Sequence, residues 1–300
     1  MSWKGKNVKK RYFFLVVFLI IRSDAVFAES WTASVDASVM VTQNAYTENW
    51  VGGEIGSMSW IVLSNSLAEK QLHPKVHTRN TLKLQFGQNH MQDKETKDWG
   101  KPIKSNDLID FESVFRFSLG GYVDPFASSR IEPQFLDKRD SLKDRYINPL
   151  TLTESLGIAK VLVKEEKCDW TARLGAGFRE HINRARLDAK TGKHKTKVSA
   201  DSGLVFVNEF ATPLAQERIS LTCKLIVFQT LFYSESDELK SLPGENYWKF
   251  PDIEWENIFS ASITQYLMVN LYTQFLYDKE IDRAGRFKQT LSLGVAYKLL

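Results

Sequence analysis

The sequence predicts an all-β fold, an antiparallel transmembrane β-barrel of about twelve strands, within bounds of roughly ten to fourteen. Three observations carry this expectation: an export-type N-terminus, period-two alternation along nearly all of the remaining chain, and a last segment patterned like a barrel's closing strand.

At the N-terminus, Lys4, Lys6, Lys9, Lys10 and Arg11 form a positive block ahead of an apolar run from Tyr12 to Ile21. Val26-Phe27-Ala28 then supplies the small and apolar positions that a signal peptidase reads, so cleavage is expected between Ala28 and Glu29. The run of about ten apolar residues is too short to cross a hydrocarbon core of about 30 Å as a helix. The division expected is a signal peptide over 1–28 and a single outer-membrane barrel domain over 29–300. No cysteine lies near the cleavage position, so lipoprotein processing is not expected. Residues 1–28 carry six basic residues and one acid, and without them the 40 basic and 36 acidic residues become 34 and 35, a net charge of −1. The basic balance of the full chain therefore gives no support to nucleic-acid binding.

The alternation begins with Ala33, Val35, Ala37, Val39 and Val41 against Ser34, Asp36, Ser38 and Thr42. It recurs at Leu82, Leu84 and Phe86, and again at Phe111, Phe115 and Phe117 opposite Asp110, Glu112 and Arg116. Trp170, Ala172, Leu174, Ala176 and Phe178 oppose Arg173 and Arg179, while Leu221, Leu225 and Val227 oppose Thr222 and Lys224. Near Met58–Leu63 and Leu156–Val163 the pattern is weak, which leaves the strand number open by about two. Long polar connections are expected at 92–106, 133–149, 184–197 and 234–250. Tight ones are expected near 70–75, 120–124, 164–168, 211–217 and 265–268. A soluble sandwich also alternates, but long loops on one side with short turns on the other suit a membrane barrel. Trp60, Trp170, Trp255, Tyr266, Tyr277 and Tyr297 fall near predicted strand ends, where interfacial aromatic girdles lie.

The final segment sets Phe287, Leu291, Leu293, Val295, Tyr297 and Leu299 against Lys288, Thr290, Ser292 and Lys298. Within it, Ser292, Gly294, Tyr297 and Leu299 match the spacing of the β-signal through which outer-membrane assembly machinery recognises a last strand, with Leu300 in place of the usual Phe. Its physical content is an edge able to pair by strand addition, with one face apolar for lipid. The partners expected are that machinery, periplasmic chaperones, and outer-membrane lipid and lipopolysaccharide. The expected location is the bacterial outer membrane, reached through the general secretory route.

Gln43, Asn49-Trp50 and Gly52-Gly53-Glu54, followed by Lys104 with Asp107, Asn148-Pro149 and Asp252-Ile253-Glu254-Trp255-Glu256, resemble a Bacteroidota-type family of predicted outer-membrane barrels of unknown function. Tyr277-Asp278 and the Gly294-to-Tyr297 ending complete the resemblance. It implies a barrel and supplies no substrate. From the residues alone, Asn49, Trp50, Gly52, Gly53 and Glu54 read as a first surface loop in which Asn and Gly accept positive φ and the indole anchors at the interface.

No catalytic, cofactor or metal residues are assigned. His181, with Ser155 or Ser199 as neighbours, is the one candidate base, and no Gly-x-Ser-x-Gly elbow occurs. His73, His77, His90 and His194 show no ligand spacing. The acidic groups Glu235, Asp237, Glu238 and Asp278, Glu280, Asp282 lack the turn glycine of an EF-hand loop and read as solvated charge. The run Lys190, Lys193, His194, Lys195, Lys197 reads as a solvated loop tip. Cys168 and Cys223 are too few for a disulfide framework or zinc site and read as free. Asp36, Lys83, Asp110, Glu112, Arg116, Arg173, Arg179, Lys224, Glu254 and Glu256 share the inward parity and mix both signs. Such charges can pair across a lumen or line a hydrated path. The function expected is therefore a structural, binding or small-solute pore barrel, with an outer-membrane enzyme acting on lipid or lipopolysaccharide as the alternative.

Overall fold

In the computed structural model the described residues are 30–46, 54–139, 144–165, 167–188, 192–264 and 266–298. The cleavage positions Ala28 and Glu29, the loop residues Asn49, Trp50, Gly52 and Gly53, and Leu299 lie outside them. Twelve strands close into one barrel: β1 (Thr32–Asn44), β2 (Ser57–His73), β3 (Val76–Met91), β4 (Ile103–Phe117), β5 (Asp124–Pro133), β8 (Leu150–Lys164), β9 (Asp169–Asp188), β10 (Lys193–Leu214), β11 (Ile219–Tyr233), β12 (Asp252–Ser262), β13 (Leu267–Tyr277) and β14 (Arg286–Lys298). A separate two-stranded sheet, β6 (Leu136–Asp137) with β7 (Arg145–Tyr146), sits in the connection after β5, and a 3-10 turn, Tyr247–Lys249, precedes β12.

Every barrel strand pairs antiparallel with the next, and β1 closes on β14 in the register Asp36↔Lys298 to Met40↔Gly294. Closure leaves no free sheet edge, and the even strand number puts the start of β1 and the end of β14 at one rim. The tight connections expected from the sequence all fall at that rim, which we call the short-turn end. The connections after β1, β3, β5, β11 and β13 make the opposite, loop end. The expected long loop at 184–197 is not one. β9 and β10, at 20 and 22 residues, run through it as a paired hairpin joined only at 189–192, with Lys193↔Asp188 its outermost pair. Lys193-His194-Lys195-Thr196-Lys197 carries no apolar residue to mark a strand, and its backbone pairing with Asn183, Arg186, Leu187 and Asp188 is a contact between strands that no local period shows.

The pleat sends successive side chains to opposite faces, and the two faces differ sharply. Outward, Leu291 and Phe287 are 69% and 66% exposed, and Leu156, Leu174, Leu204 and Val295 are exposed with them. Inward, Arg173 and Asp110 are 3% and 5% exposed, and Glu112, Lys224, Asp201 and Glu256 are also buried. The core is therefore the polar lumen, apart from one apolar cluster of Val205, Val207 and Phe228 on its wall.

Glycines shape that wall. Gly157 and Gly175 pair across β8 and β9, and a Cβ on Gly157 would stand 2.2 Å from the Leu174 carbonyl oxygen. The closeness of the two strands there excludes any side chain.

Candidate functional site

The inward residues of the middle of the barrel meet across the lumen. Lys83 on β3 pairs with Glu256 on β12, and the Tyr272 hydroxyl donates to the same carboxylate at 3.1 Å. Lys224 on β11 reaches Glu112 on β4 at 2.6 Å and Glu209 on β10 at 3.5 Å. Arg173 on β9 bonds the same two carboxylates at 2.7 and 3.2 Å. Arg130 on β5 donates to both oxygens of Asp110 at 2.8 and 3.0 Å, to Glu132 at 3.0 Å and to Glu254 at 3.1 Å. Nearer the loop end, Arg179 joins Asp201 to Asp252, the latter at 2.7 Å. Strands on opposite sides of the ring, β3 with β12, β4 with β11 and β5 with β12, are thus tied together.

These bridges divide the lumen. A cavity of about 230 Å³ faces the loop end, lined by Arg130, Glu132, Arg179, His181, Asp278 and Arg286 among others. A second of about 280 Å³ faces the short turns, lined by Glu69, His77, Arg116, Lys164 and Asp169. Arg173 and Glu209 form the inner wall of the second, and Glu112 and Arg130 that of the first. A third, about 550 Å³, runs beside the bridges along β1, β2, β13 and β14. Its lining is mostly hydroxyl and amide, from Ser34, Ser38, Asn65, Gln85, Asn270 and Ser292.

Of the ten inward charges expected from the parity, all but Asp36 and Arg116 belong to these central and loop-end bridges. Asp36 lines the third cavity, and Arg116 stands 3.7 Å from Asp124 near the short turns. Sequence reasoning missed Arg130, Glu132, Glu209, Asp201 and Asp252. The β5 stretch Ser128-Ser129-Arg130-Ile131-Glu132 carries one large apolar residue, too few to show a period.

Of the two serines expected beside the candidate base, Ser199 is its cross-strand neighbour, but neither is hydrogen-bonded to it. Ser155 is bonded to Ser128 at 2.6 Å, and Ser199 lies opposite His181 in the β9–β10 register. The hydroxyl at His181 is that of Thr151, 3.2 Å from Nδ1. The nearest carboxylate, Asp201, is 3.9 Å from Nε2 and already held by Arg179 and Thr230. That distance exceeds a hydrogen bond, so the ring lacks the acid that orients a relay.

Several charges of the acidic loops and of the basic run are paired locally, and Lys190 lies outside the described residues. Glu235 accepts from Lys197 at 2.6 Å and from the Tyr233 hydroxyl at 3.2 Å. Asp237 pairs with Lys240 at 2.7 Å, and Asp278 caps its own turn by accepting the Glu280 and Ile281 backbone N–H groups. Both cysteines are free. Of the aromatic positions, Trp170 and Trp255 are exposed on the outer face near strand ends, whereas Tyr277 lines the loop-end cavity.

One loop is pinned. Asp137 is 1% exposed, bonded to Arg145 at 2.7 Å and twice to Arg139, and Asn148 donates to it at 3.1 Å. Burial opposes ionisation of Asp137, but the Arg139 side-chain and backbone hydrogen bonds and the Arg145 charge outweigh it and hold the carboxyl at about 2. Asp107, paired with Lys104 at 2.7 Å, accepts the backbone N–H groups of Phe135 and Leu136. Lys104, Asp107 and Asn148, three positions of the family resemblance, therefore fasten the β5–β8 connection to the rim.

Residues 41–138 match the profile of a protein family of unknown function (DUF3078). No curated protein matches the sequence. Among solved structures, the fold is similar to an outer membrane channel from Pseudomonas putida F1, at 12% identity and TM-score 0.40, covering 91% of this chain and 96% of that one. It is also similar to the translocator domain of the autotransporter NalP from Neisseria meningitidis, at 10% identity and TM-score 0.37, covering 89% and 87%. The β domain of the Bordetella autotransporter BrkA is a third, at 9% identity and TM-score 0.29, covering 89% and 97%.

Proposed function

We propose that the chain is an outer-membrane β-barrel that binds or admits a small solute from its loop end, with a lumen closed at mid-height by ion pairs. The observation that carries this reading is the inversion of the two faces: large apolar side chains cover the outside while charged side chains fill the inside. In water the outer face would be far larger than the apolar patches soluble monomers leave exposed. In lipid the same face is solvated, and closure of the ring gives each strand neighbours on both sides to pair with its N–H and C=O groups. The shortest barrel strands, β5 with 10 residues and β12 and β13 with 11, match the 9–11 residues or so that a tilted strand needs to span. Short turns lie on the periplasmic side of such barrels, which orients the loop end outward.

Closure at mid-height is tested by single-channel recording of the purified barrel in planar bilayers. The parent should be quiet or show only brief small steps. The double variant Glu112→Ala with Lys224→Ala removes one cross-lumen pair and leaves Arg173 with Glu209, so it should give stable, resolvable steps. Large steady steps from the parent, unchanged in the variant, would show that the bridges do not close the lumen.

A further inference from the structure

The loop-end cavity has an uneven set of linings. Three carboxylates, Asp110, Glu132 and Glu254, share the single guanidinium of Arg130, and two more, Asp201 and Asp252, share Arg179. Three of the described lumen cations do not relieve this surplus, because Lys224 and Arg173 are matched by Glu112 and Glu209, and Lys83 by Glu256. Asp278 adds a further carboxylate to the lining. At the mouth, partial burial and then the Asp278, Asp252 and Asp201 carboxylates push Glu280 up to about 7, as a negative field there requires.

Against this surplus stands one cation with nothing to hold. Arg286 lines the same cavity, and among the described residues it has no hydrogen-bond or ion-pair partner. Its Nε is buried and unsatisfied. A guanidinium in that state is an open fork of donors matched to a carboxylate. The third lining is apolar: Val205, Val207, Ile226 and Phe228 form a hydrophobic patch on the wall of this cavity.

A simple cation would satisfy the carboxylates and leave Arg286 facing it; a simple anion would satisfy Arg286 and meet the acid surplus. We propose that this cavity binds a small zwitterion with an apolar side group, of the α-amino acid class. Its carboxylate sits on Arg286, its ammonium among the surplus carboxylates, and its side group on the Val205–Phe228 wall. At about 230 Å³ the cavity lies below the roughly 300–1,000 Å³ of pockets for drug-sized ligands, which restricts it to a smaller one. The inference rests on the loop end being the open, outward side of the barrel.

The test is isothermal titration of the full chain in detergent micelles at pH 7 with L-phenylalanine, 2-phenylethylammonium and 3-phenylpropionate. The second lacks the carboxylate and the third lacks the ammonium. Phenylalanine should bind at least about tenfold more tightly than either, since each charge-assisted contact is worth on the order of one such factor. Arg286→Gln should bring phenylalanine down to the level of phenylethylammonium. Glu254→Gln should bring it most of the way down to that of phenylpropionate. Arg286 makes no contact whose loss would unfold the barrel, and Arg286→Lys should keep part of the affinity. Absence of phenylalanine binding, equal binding of all three ligands, or indifference to Arg286→Gln would overturn the proposal. A failure of the barrel reading shows separately, as gel migration that heating does not change.

Discussion

Arg173 is the side chain whose loss the lumen should tolerate least. It is 3% exposed and holds Glu112 and Glu209 together with Lys224. Arg173→Ala leaves the buried Glu112 and the half-buried Glu209 on one ammonium, and breaking a buried pair from one side costs about 3–5 kcal/mol. The matched removal in Glu112→Ala with Lys224→Ala should cost less, because it leaves a balanced pair. Reversible urea unfolding in detergent compares the two; equal losses would mean that the bridges are hydrated and weakly coupled. Asp137 gives a pH-dependent counterpart in the loops. Its carboxyl lies at about 2 against an ordinary 3.8, so its stabilisation is fully present above about pH 5 and is lost as pH falls through 4 towards 2. The shift corresponds to about 2 kcal/mol. Limited proteolysis within 134–149 should stay slow at neutral pH and accelerate in Asp137→Asn, which keeps the shape and removes the charge. If Asp137→Asn is cut no faster than the parent, the pin is not electrostatic.

At the scale of elements, the outward-facing halves of the strands were far more legible than the inward halves. Phe111, Leu174 and Leu291 announce their strands because lipid-facing positions are uniformly apolar, and that uniformity sets the period. The lumen side accepts any residue that its partner across the ring can satisfy, so Arg130 and Glu209 gave no local signal: apart from Glu132 two positions on, the partners of Arg130 lie 20 and 124 residues away, and those of Glu209 lie 15 and 36 away. The candidate cavity was still less legible, since Arg286 stands out only by lacking a partner. Gly203 marks another constraint of this kind. A β-bulge separates it from Ser202, and a Cβ there would fall 1.9 Å from the Gln229 carbonyl oxygen. Gly203→Ala should therefore force β10 from β11 and lower folding yield sharply, while Gly192→Ala, with open space around it but a φ of +63°, should cost only about 1–2 kcal/mol of backbone strain and leave the fold intact. Refolding yield into detergent, read by gel migration, measures both. The last strand carries the assembly expectation: Gly294 pairs with Met40 at the closing seam, and Ser292 faces inward opposite Asn270. Tyr297→Lys should reduce inserted barrel in cells, Tyr297→Phe should change little, and Leu300→Phe should be neutral or helpful. Insertion of Tyr297→Lys at the parental level would remove the β-signal reading.

For the whole molecule, one physical statement joins the levels: a chain whose apolar residues face out and whose charges face in is stable only where the outside is oil. Twelve strands in simple next-neighbour order pair the backbone, the closed seam removes the edges, and ion pairs cross part of the interior between strands on opposite sides of the ring. The measurement that tests this most directly is fractionation of cells expressing the full chain, with the outer-membrane fraction run on gels before and after boiling. The account predicts that the protein sediments with outer membranes and shifts its migration on boiling, as a detergent-resistant closed barrel unfolds. Recovery of the protein in the soluble periplasmic extract, with identical migration heated and unheated, would contradict it.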